Sequence, residues 1–507
     1  MNNNSRTIVK NSGMLYVRMA ISMLVGLYTS RVVLYALGVT DYGIYNVVGG
    51  LTTMFMFLNS SMAVSTSRFL TYELGRNDSA QLSLVYKQAI IIHVIIAVCI
   101  FILIETVGLW FLHNKLVIPE GRMYAAEWIL HTVAAVSVLN ILSTPDMSLI
   151  IAYERMSSFA YISLFDVFFK LTIAILLVYW GGDKLILYAI LLMFSQLVVR
   201  LIYYIYSKIV FKELHGKLLI EIRMFKEMVS FAGWNLLGNL ALMTIDQGVN
   251  ILLNVFCGPV VNAARGVSTQ VSNHVNAFVM NIRMAINPQI TKSFSAGNLD
   301  YMHTLIKYSS LSCYYLLLIV SIPLFWVTDC LLSIWLVEVP PLTGTFFRLT
   351  LAYIMANSFA NPIIIGIHST GNIVKFQVVE GILMLLTLPL AWIFLHCGYP
   401  PFWVYIAQIT IAIVSQIGRL YVVLPAIKMK LAYYLNSICL PCLWVTIASV
   451  LLPLLIWNLY SEDETLLFLM LMAAMSFVWT ALSIYVIGLN KTEKQIVKRA
   501  ASKFLNC

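Results

Sequence analysis

From Gly13 to Gly488 the chain runs through one apolar stretch after another, each more than twenty residues long and set off by a few polar ones. Bilayer hydrocarbon is about 30 Å thick, which about twenty apolar residues span as a helix. Fourteen windows qualify: 13–37, 43–67, 86–111, 124–150, 157–180, 185–209, 228–256, 262–287, 305–328, 346–368, 373–397, 402–424, 435–457 and 464–488. Hydrophobic residues make up 61% of the chain and charged ones 11%. Soluble proteins carry about 45–50% and about 25%, so this chain has too little polar surface to face water all round. The expected fold is an all-α integral membrane protein with 14 transmembrane helices.

The loops orient these spans. With the N-terminus inside, the inner segments hold Arg6, Lys10, Arg76, Lys87, Arg155, Lys208, Lys212, Lys217, Arg223, Lys226, Lys292, Lys307, Lys375, Lys428, Lys430, Lys491, Lys494, Lys498, Arg499 and Lys503. The outer ones hold Lys115, Arg122, Lys184, Arg265 and Arg348, with Asp41, Glu120, Glu127, Asp183, Asp329, Glu338 and the run Glu462-Asp463-Glu464. Basic residues gather on the cytoplasmic side, so both termini are expected there. The net charge of +10 sits in these loops and not on a basic face with aromatic platforms, which argues against nucleic acid. The cysteines lack metal or redox spacing, and Cys99, Cys257 and Cys313 read as reduced packing residues.

At an offset of about 220 residues the chain resembles itself. Gly13 falls on Gly233, Gly38 on Gly258, Thr53 on Asn273 and Ser67 on Asn287. "ELGRND" (Glu73–Asp78) lies close to "SFSAGNLD" (Ser293–Asp300) if two residues are inserted. Six spans per repeat is an even number, so the halves share one orientation, about an axis along the membrane normal. The expected layout is an N-terminus at 1–12, an N-lobe at 13–211, a basic linker at 212–227, a C-lobe at 228–424, two further helices within 435–488 and a basic tail at 489–507.

Polar residues recur inside the spans at helical spacing. Asn46, Thr53, Ser60 and Ser67 mark the second span. Asn235, Asn239, Asp246, Asn250 and Asn254 mark the seventh, and Asn262, Arg265, Thr269, Asn273, Asn276, Arg283 and Asn287 the eighth. Such stripes serve as glue between helices or line a shared aqueous cavity; the asparagines and charges favour the cavity. A charge at mid-bilayer costs at least about 2.5–3.5 kcal/mol, so Arg18, Arg31, Arg68, Arg265 and Arg283 are candidate substrate contacts, with Asn235, Asn239, Asn273 and Asn276. Arg18 and Arg31 lie about 220° apart around their helix and cannot both point straight into one cavity; one of them snorkels or pairs. Asp246 lacks a local partner and is the candidate for a coupling proton or cation, or for pairing with an arginine of the opposite lobe. Asp166 and Lys170, four apart, can neutralise each other. Arg200, Arg419 and Glu380 near helix ends read as anchors, so Arg419→Ala is expected to be mild. Asp146 in "STPDMS" reads as the kinked end of the fourth helix.

The chain carries no Walker sequence, HExxH or GxSxG, and no large loop to hold an active site, so an enzyme is not expected. The expected role is alternating-access transport through two facing lobes.

One stretch points further. "RVVLYALGVTDYG" (Arg31–Gly43) ends the first span in an arginine, then "LG" and a short polar turn closing on "YG". With Arg68 and "INPQITKSFSAGN" (Ile286–Asn298), it resembles the polysaccharide transporter family. These are the Wzx-type flippases of the multidrug/oligosaccharidyl-lipid/polysaccharide exporter (MOP) superfamily. The resemblance implies moving an undecaprenyl-pyrophosphate-linked oligosaccharide across the bacterial inner membrane, for O-antigen, capsule or exopolysaccharide synthesis. It implies a monomer among membrane lipids, with polysaccharide polymerase machinery as a possible partner, no cofactor, and H+ or Na+ as possible coupling ions. Arginine's fork suits the pyrophosphate, and Gly38 and Gly43 are read as allowing the tight turn. The alternatives are a cation-coupled multidrug exporter of the same fold, which would want carboxylates in the first lobe, and a membrane polymerase or glycosyltransferase. A lipid II flippase is a close neighbour of the first reading.

Overall fold

The computed structural model describes residues 3–495 apart from 54–55, 115, 117, 120, 215–219, 336–338, 461–465 and 491–492. Of the residues named above, Lys115, Glu120, Lys217, Glu338, Glu462, Asp463, Glu464, Lys491, Lys498, Arg499 and Lys503 lie outside the described residues, as do the side chains of Arg6, Lys10, Asn46 and Thr53.

All regular elements among the described residues are helical. In chain order the main helices are α1 (Asn3–Thr53), α2 (Met56–Arg76), α3 (Ser79–Asn114), α4 (Met123–Ala152), α5 (Met156–Tyr179), α6 (Lys184–Val210), α7 (Ile222–Cys257) and α8 (Pro259–Ser295). They are followed by α9 (Leu299–Trp326), α10 (Thr328–Trp335), α11 (Thr343–Thr370), α12 (Val374–His396), α13 (Trp403–Ala426), α14 (Leu431–Leu459) and α15 (Leu466–Gly488). Twelve helical stretches among the described residues are long and apolar enough to cross a membrane. The expected eighth span is helical but is not among the twelve, and the expected second span includes residues 54 and 55, outside the described ones. α8 carries a polar residue on nearly every turn, from Asn262 to Asn287.

The chain divides into two units. One comprises Met1–Asn239 with Thr291–Gly297, the other Leu240–Ile290 with Asn298–Cys507. In the first, Val33, Val48, Ile129, Leu130 and Leu177 form part of a buried apolar core. In the second, Val249, Leu253, Phe346 and Val404 do the same.

Several backbone events recur 220 residues apart. Gly38 interrupts α1 at φ 77 and ψ 169, and Gly258, between α7 and α8, has φ 81. Asn77 (φ 55) matches Gly297 (φ 74). Each precedes an N-cap: Asp78 accepts from the Gln81 N–H and Asn298 from the Tyr301 N–H. The structural match needs no insertion, unlike the letter match of "ELGRND" with "SFSAGNLD". A cap and a left-handed residue satisfy helix-end groups whatever the neighbouring letters are.

Two expectations are corrected. Gly43 is helical and Gly38 alone carries the break. The fourth span does not end at "STPDMS", because α4 runs through Pro145 to Ala152. Gly38 sits where side-chain-bearing residues cost about 1–3 kcal/mol, with open space around its Cα. Gly38→Ala should therefore lower stability by about that amount, while Gly43→Ala, in a helix with equal space, should be neutral or slightly stabilising. Thermal unfolding in detergent compares the two.

Candidate functional site

The first unit encloses a polar cavity of about 610 Å³ among α1, α2, α4, α5 and α6. Asp166 and Lys170 on α5 line it together, with Lys170 Nζ donating to Asp166 Oδ2 at 2.7 Å. This is the mutual neutralisation that their four-residue spacing suggested. Asp166 Oδ1 is buried without a hydrogen-bond partner, so the cavity holds an acceptor ready for a donor. Asn59, Asn140, Gln196 and Tyr203 complete its polar wall, and Asn59 Nδ2 bonds Thr144 Oγ1 at 3.3 Å.

Arg18 reaches the edge of this cavity. Its Nη1 donates to Ser163 Oγ at 3.3 Å, and its guanidinium stands 5.0 Å from the Phe159 ring centroid. Arg31 lies elsewhere, in a separate recess of about 540 Å³ with Tyr28, Tyr35 and Tyr179. The two arginines thus occupy different pockets, in keeping with their angular separation.

Arg68 is caged by rings: Phe69 at 4.5 Å, Tyr72 at 4.7 Å and Phe231 at 5.6 Å. That arrangement holds a cation by ring quadrupoles. Asn235 donates to the Phe231 carbonyl at 3.0 Å, within its own helix, and Asn239 to Ser61 Oγ at 2.9 Å. Both bonds are structural.

The turn that drew attention in the sequence is held by charge. Arg122, just before α4, bridges Asp41 and Asp183: Nε donates to Asp41 Oδ1 at 2.9 Å and Nη1 to Asp183 Oδ2 at 2.8 Å. Asp183 also caps α6 through the Leu185 and Ile186 N–H groups. Partial burial raises the Asp183 pKa, but the Ile186 N–H and Arg122 outweigh it and hold the carboxyl below its ordinary value.

In the second unit Arg265 is buried and finds its acceptors on α7. Nη2 donates to Asp246 Oδ1 at 2.5 Å, and Nε to Asn250 Oδ1 at 2.5 Å. Asp246 therefore has a partner within its own unit, correcting the expectation of an unpartnered acid or one paired with the opposite lobe. Its one-turn offset from Asn250 lets a single arginine take both. Arg283 lies beside the Cys313 thiol, and its Nε is buried without a hydrogen-bond partner. Asn276 donates to the Ser272 carbonyl at 3.0 Å, and Asn273 is exposed.

Two buried ion pairs were not visible in the sequence. Arg419 on α13, 2% exposed in its side chain, donates to both Glu380 oxygens and to Gln416 at 3.1 Å. The expectation of a helix-end anchor with a mild alanine variant is corrected. Arg200 likewise bonds buried Asp146, which accepts the Tyr86 hydroxyl at 2.5 Å. The partners lie 39 and 54 residues apart; their only local sign was a charge flanked by apolar residues.

These helices define an all-helical, multi-pass membrane fold. Solved structures of MATE family transporters of the MOP superfamily share it. A MATE in the straight conformation is 14% identical, with TM-score 0.72, over 84% of this chain and 96% of that one. An outward-facing multidrug resistance MATE family transporter is 13% identical, with TM-score 0.71, over 84% and 97%. A MOP superfamily transporter from Pyrococcus furiosus, described as having a binding pocket of reverse polarity that suggests a different function, is 13% identical, with TM-score 0.72, over 84% and 96%. No family model and no curated protein matches the sequence.

Arg419→Leu leaves Glu380 buried and unpaired, at a cost of about 3–5 kcal/mol. Arg419→Leu with Glu380→Leu should recover most of that loss in thermal unfolding. The Arg122 clasp is pH-dependent. With its folded pKa lowered, Asp183 contributes stability that is present above its unfolded value, about 3.9, and is lost as pH falls through the folded one. The stability difference between the wild type and Arg122→Leu should be present at about pH 7 and shrink below about pH 4.

Proposed function

We propose that this protein is a flippase that moves undecaprenyl-pyrophosphate-linked oligosaccharide units across the bacterial inner membrane by alternating access. The supporting observation is the sign of the charge left over inside the spans. Among the described residues, four carboxylates within the spans have cationic partners: Asp146 with Arg200, Asp166 with Lys170, Asp246 with Arg265 and Glu380 with Arg419. Arg31 and Arg283 are in no such pair among the described residues. A surplus of guanidinium suits an anionic pyrophosphate or acidic sugar. It suits a cationic drug poorly, so the multidrug exporter reading ranks second despite the MATE likeness. The reversed pocket polarity described for the Pyrococcus furiosus protein, which suggests a different function for it, is a precedent for pocket polarity varying on this fold.

In this reading the fourteen expected spans place both termini in the cytoplasm, and the polar stripe of α8 faces the substrate path. The backbone events recurring at 220 residues support two six-span lobes of like orientation, with α14 and α15 as the additional pair. Arg31 and Arg283 contact phosphate, Arg18 borders the polar cavity of the first unit, and Asp246 with Arg265 is the site at which a coupling H+ or Na+ would compete with an internal cation. The oligosaccharide would pass to polymerase machinery as a released lipid.

Reconstitution into liposomes with a fluorescent undecaprenyl-pyrophosphate oligosaccharide tests this. Protein-dependent movement between leaflets is expected, reduced roughly tenfold or more in Arg31→Ala and in Arg283→Ala, since a hydrogen bond to a charged group is lost in each. Export of cationic dyes without movement of the glycolipid would establish the exporter instead.

A further inference from the structure

The face of the first unit formed by α3, α4 and α6 carries a groove of about 590 Å³ lined only by apolar side chains. Val98, Phe101, Ala135, Leu139, Phe194 and Leu197 are among them. One turn beyond Phe101 on α3, and one turn before Ala135 on α4, stands an ionisable pair: His131 Nδ1 lies 2.8 Å from Glu105 Oε2 and 3.0 Å from Oε1. The His131 side chain is 46% exposed and that of Glu105 21%, so the pair opens to the surroundings at the end of the groove. Glu105 sits in a π turn, Ile104–Gly108, inside an otherwise α-helical span, an irregularity frequent at functional sites. One turn further along α4, Glu127 meets His113 at 3.1 Å. Trp110, Tyr124 and Trp128 are exposed around that level, as aromatic residues are at a membrane interface. His131 lies three residues from Trp128, about 4.5 Å along the helix, within reach of lipid head groups.

The proposed transport uses neither residue, and charged groups within a span are costly unless they serve a purpose. A neutral imidazole bonded to a carboxylate through Nδ1 carries its hydrogen there and offers Nε2 as an acceptor. Two nitrogen contacts do not exhaust the four lone-pair sites of a carboxylate. The station is thus rich in acceptors, at the mouth of a groove made for hydrocarbon.

We propose that this groove binds a membrane phospholipid whose head group carries a primary ammonium, of the ethanolamine type. Its chain lies against Phe101, Leu139 and Phe194, and its ammonium donates to Glu105 and to His131 Nε2. A quaternary choline head has no N–H to donate, and a glycerol head has no cation, so both bind less tightly.

The test is native mass spectrometry on the delipidated full-length protein, loaded with ethanolamine, choline or glycerol phospholipids of identical acyl chains. Ethanolamine lipid should be retained about tenfold over choline lipid, the yield of a charge-assisted hydrogen bond. Glu105→Gln and His131→Phe should each abolish that preference, while Glu127→Gln keeps it. Equal retention of the three lipids by the wild type overturns the proposal without recourse to any variant. So does a preference that survives in both Glu105→Gln and His131→Phe, or a stoichiometric membrane protein that occupies the groove in place of lipid.

Discussion

An ionised side chain inside hydrocarbon needs a counter-charge, water or a ligand. That constraint organises the interior of each unit. In the first, Asp146 takes Arg200 and the Tyr86 hydroxyl while Asp166 takes Lys170. In the second, Asp246 takes Arg265 and Glu380 takes Arg419. Each pair ties together helices, or successive turns of one helix, that apolar contact alone would leave free to slide. A buried pair is weak evidence of net stability, because desolvation offsets much of the attraction. Its stronger consequence is registry, since Arg419 can satisfy both Glu380 oxygens and Gln416 at only one relative height of α12 and α13.

The ends of the helices follow a second rule. Where one span gives way to the next within a few residues, the chain needs a backbone conformation that ordinary residues avoid. Gly38 and Gly258 supply it at one end of the respective spans, and Asn77 and Gly297 at the other, followed by Asp78 and Asn298 as caps. Asparagine standing in for glycine at the left-handed position, and asparagine for aspartate at the cap, are exchanges of equal physics. This is why the recurrence at 220 residues is clearer in these φ angles and caps than in letters.

The long apolar runs were legible because a membrane imposes length and composition on every span. The Asp166–Lys170 pair was legible because four residues along a helix bring side chains together without further information. The separation of Arg18 from Arg31 followed from helical geometry in the same way. By contrast, the partners of Asp146, Asp246 and Glu380 sit on other helices, and single-sequence periodicity holds nothing about which helix packs against which. The asparagine stripes misled in part for a related reason. Asn235 and Asn276 spend their donors on their own backbones, a use that spacing does not distinguish from lining a cavity. Pro145 misled because α4 continues through it to Ala152, the freed backbone groups being tolerated inside a packed bundle.

What cargo the proposed transport would suit is then a question of which charges the pairs leave over. A carboxylate already bonded to arginine is a poor receptor for a cation, because the incoming ion must displace a guanidinium held by two hydrogen bonds. A guanidinium in no ion pair among the described residues and with a buried, unbonded Nε, as at Arg283, has a donor to offer an anion or water. A cationic cargo would gain nothing from the same position and would meet repulsion there. The proposed cargo, a phosphate-bearing amphiphile, matches that polarity: on the reading proposed above the arginine would meet the head group while the bilayer accommodates the chain.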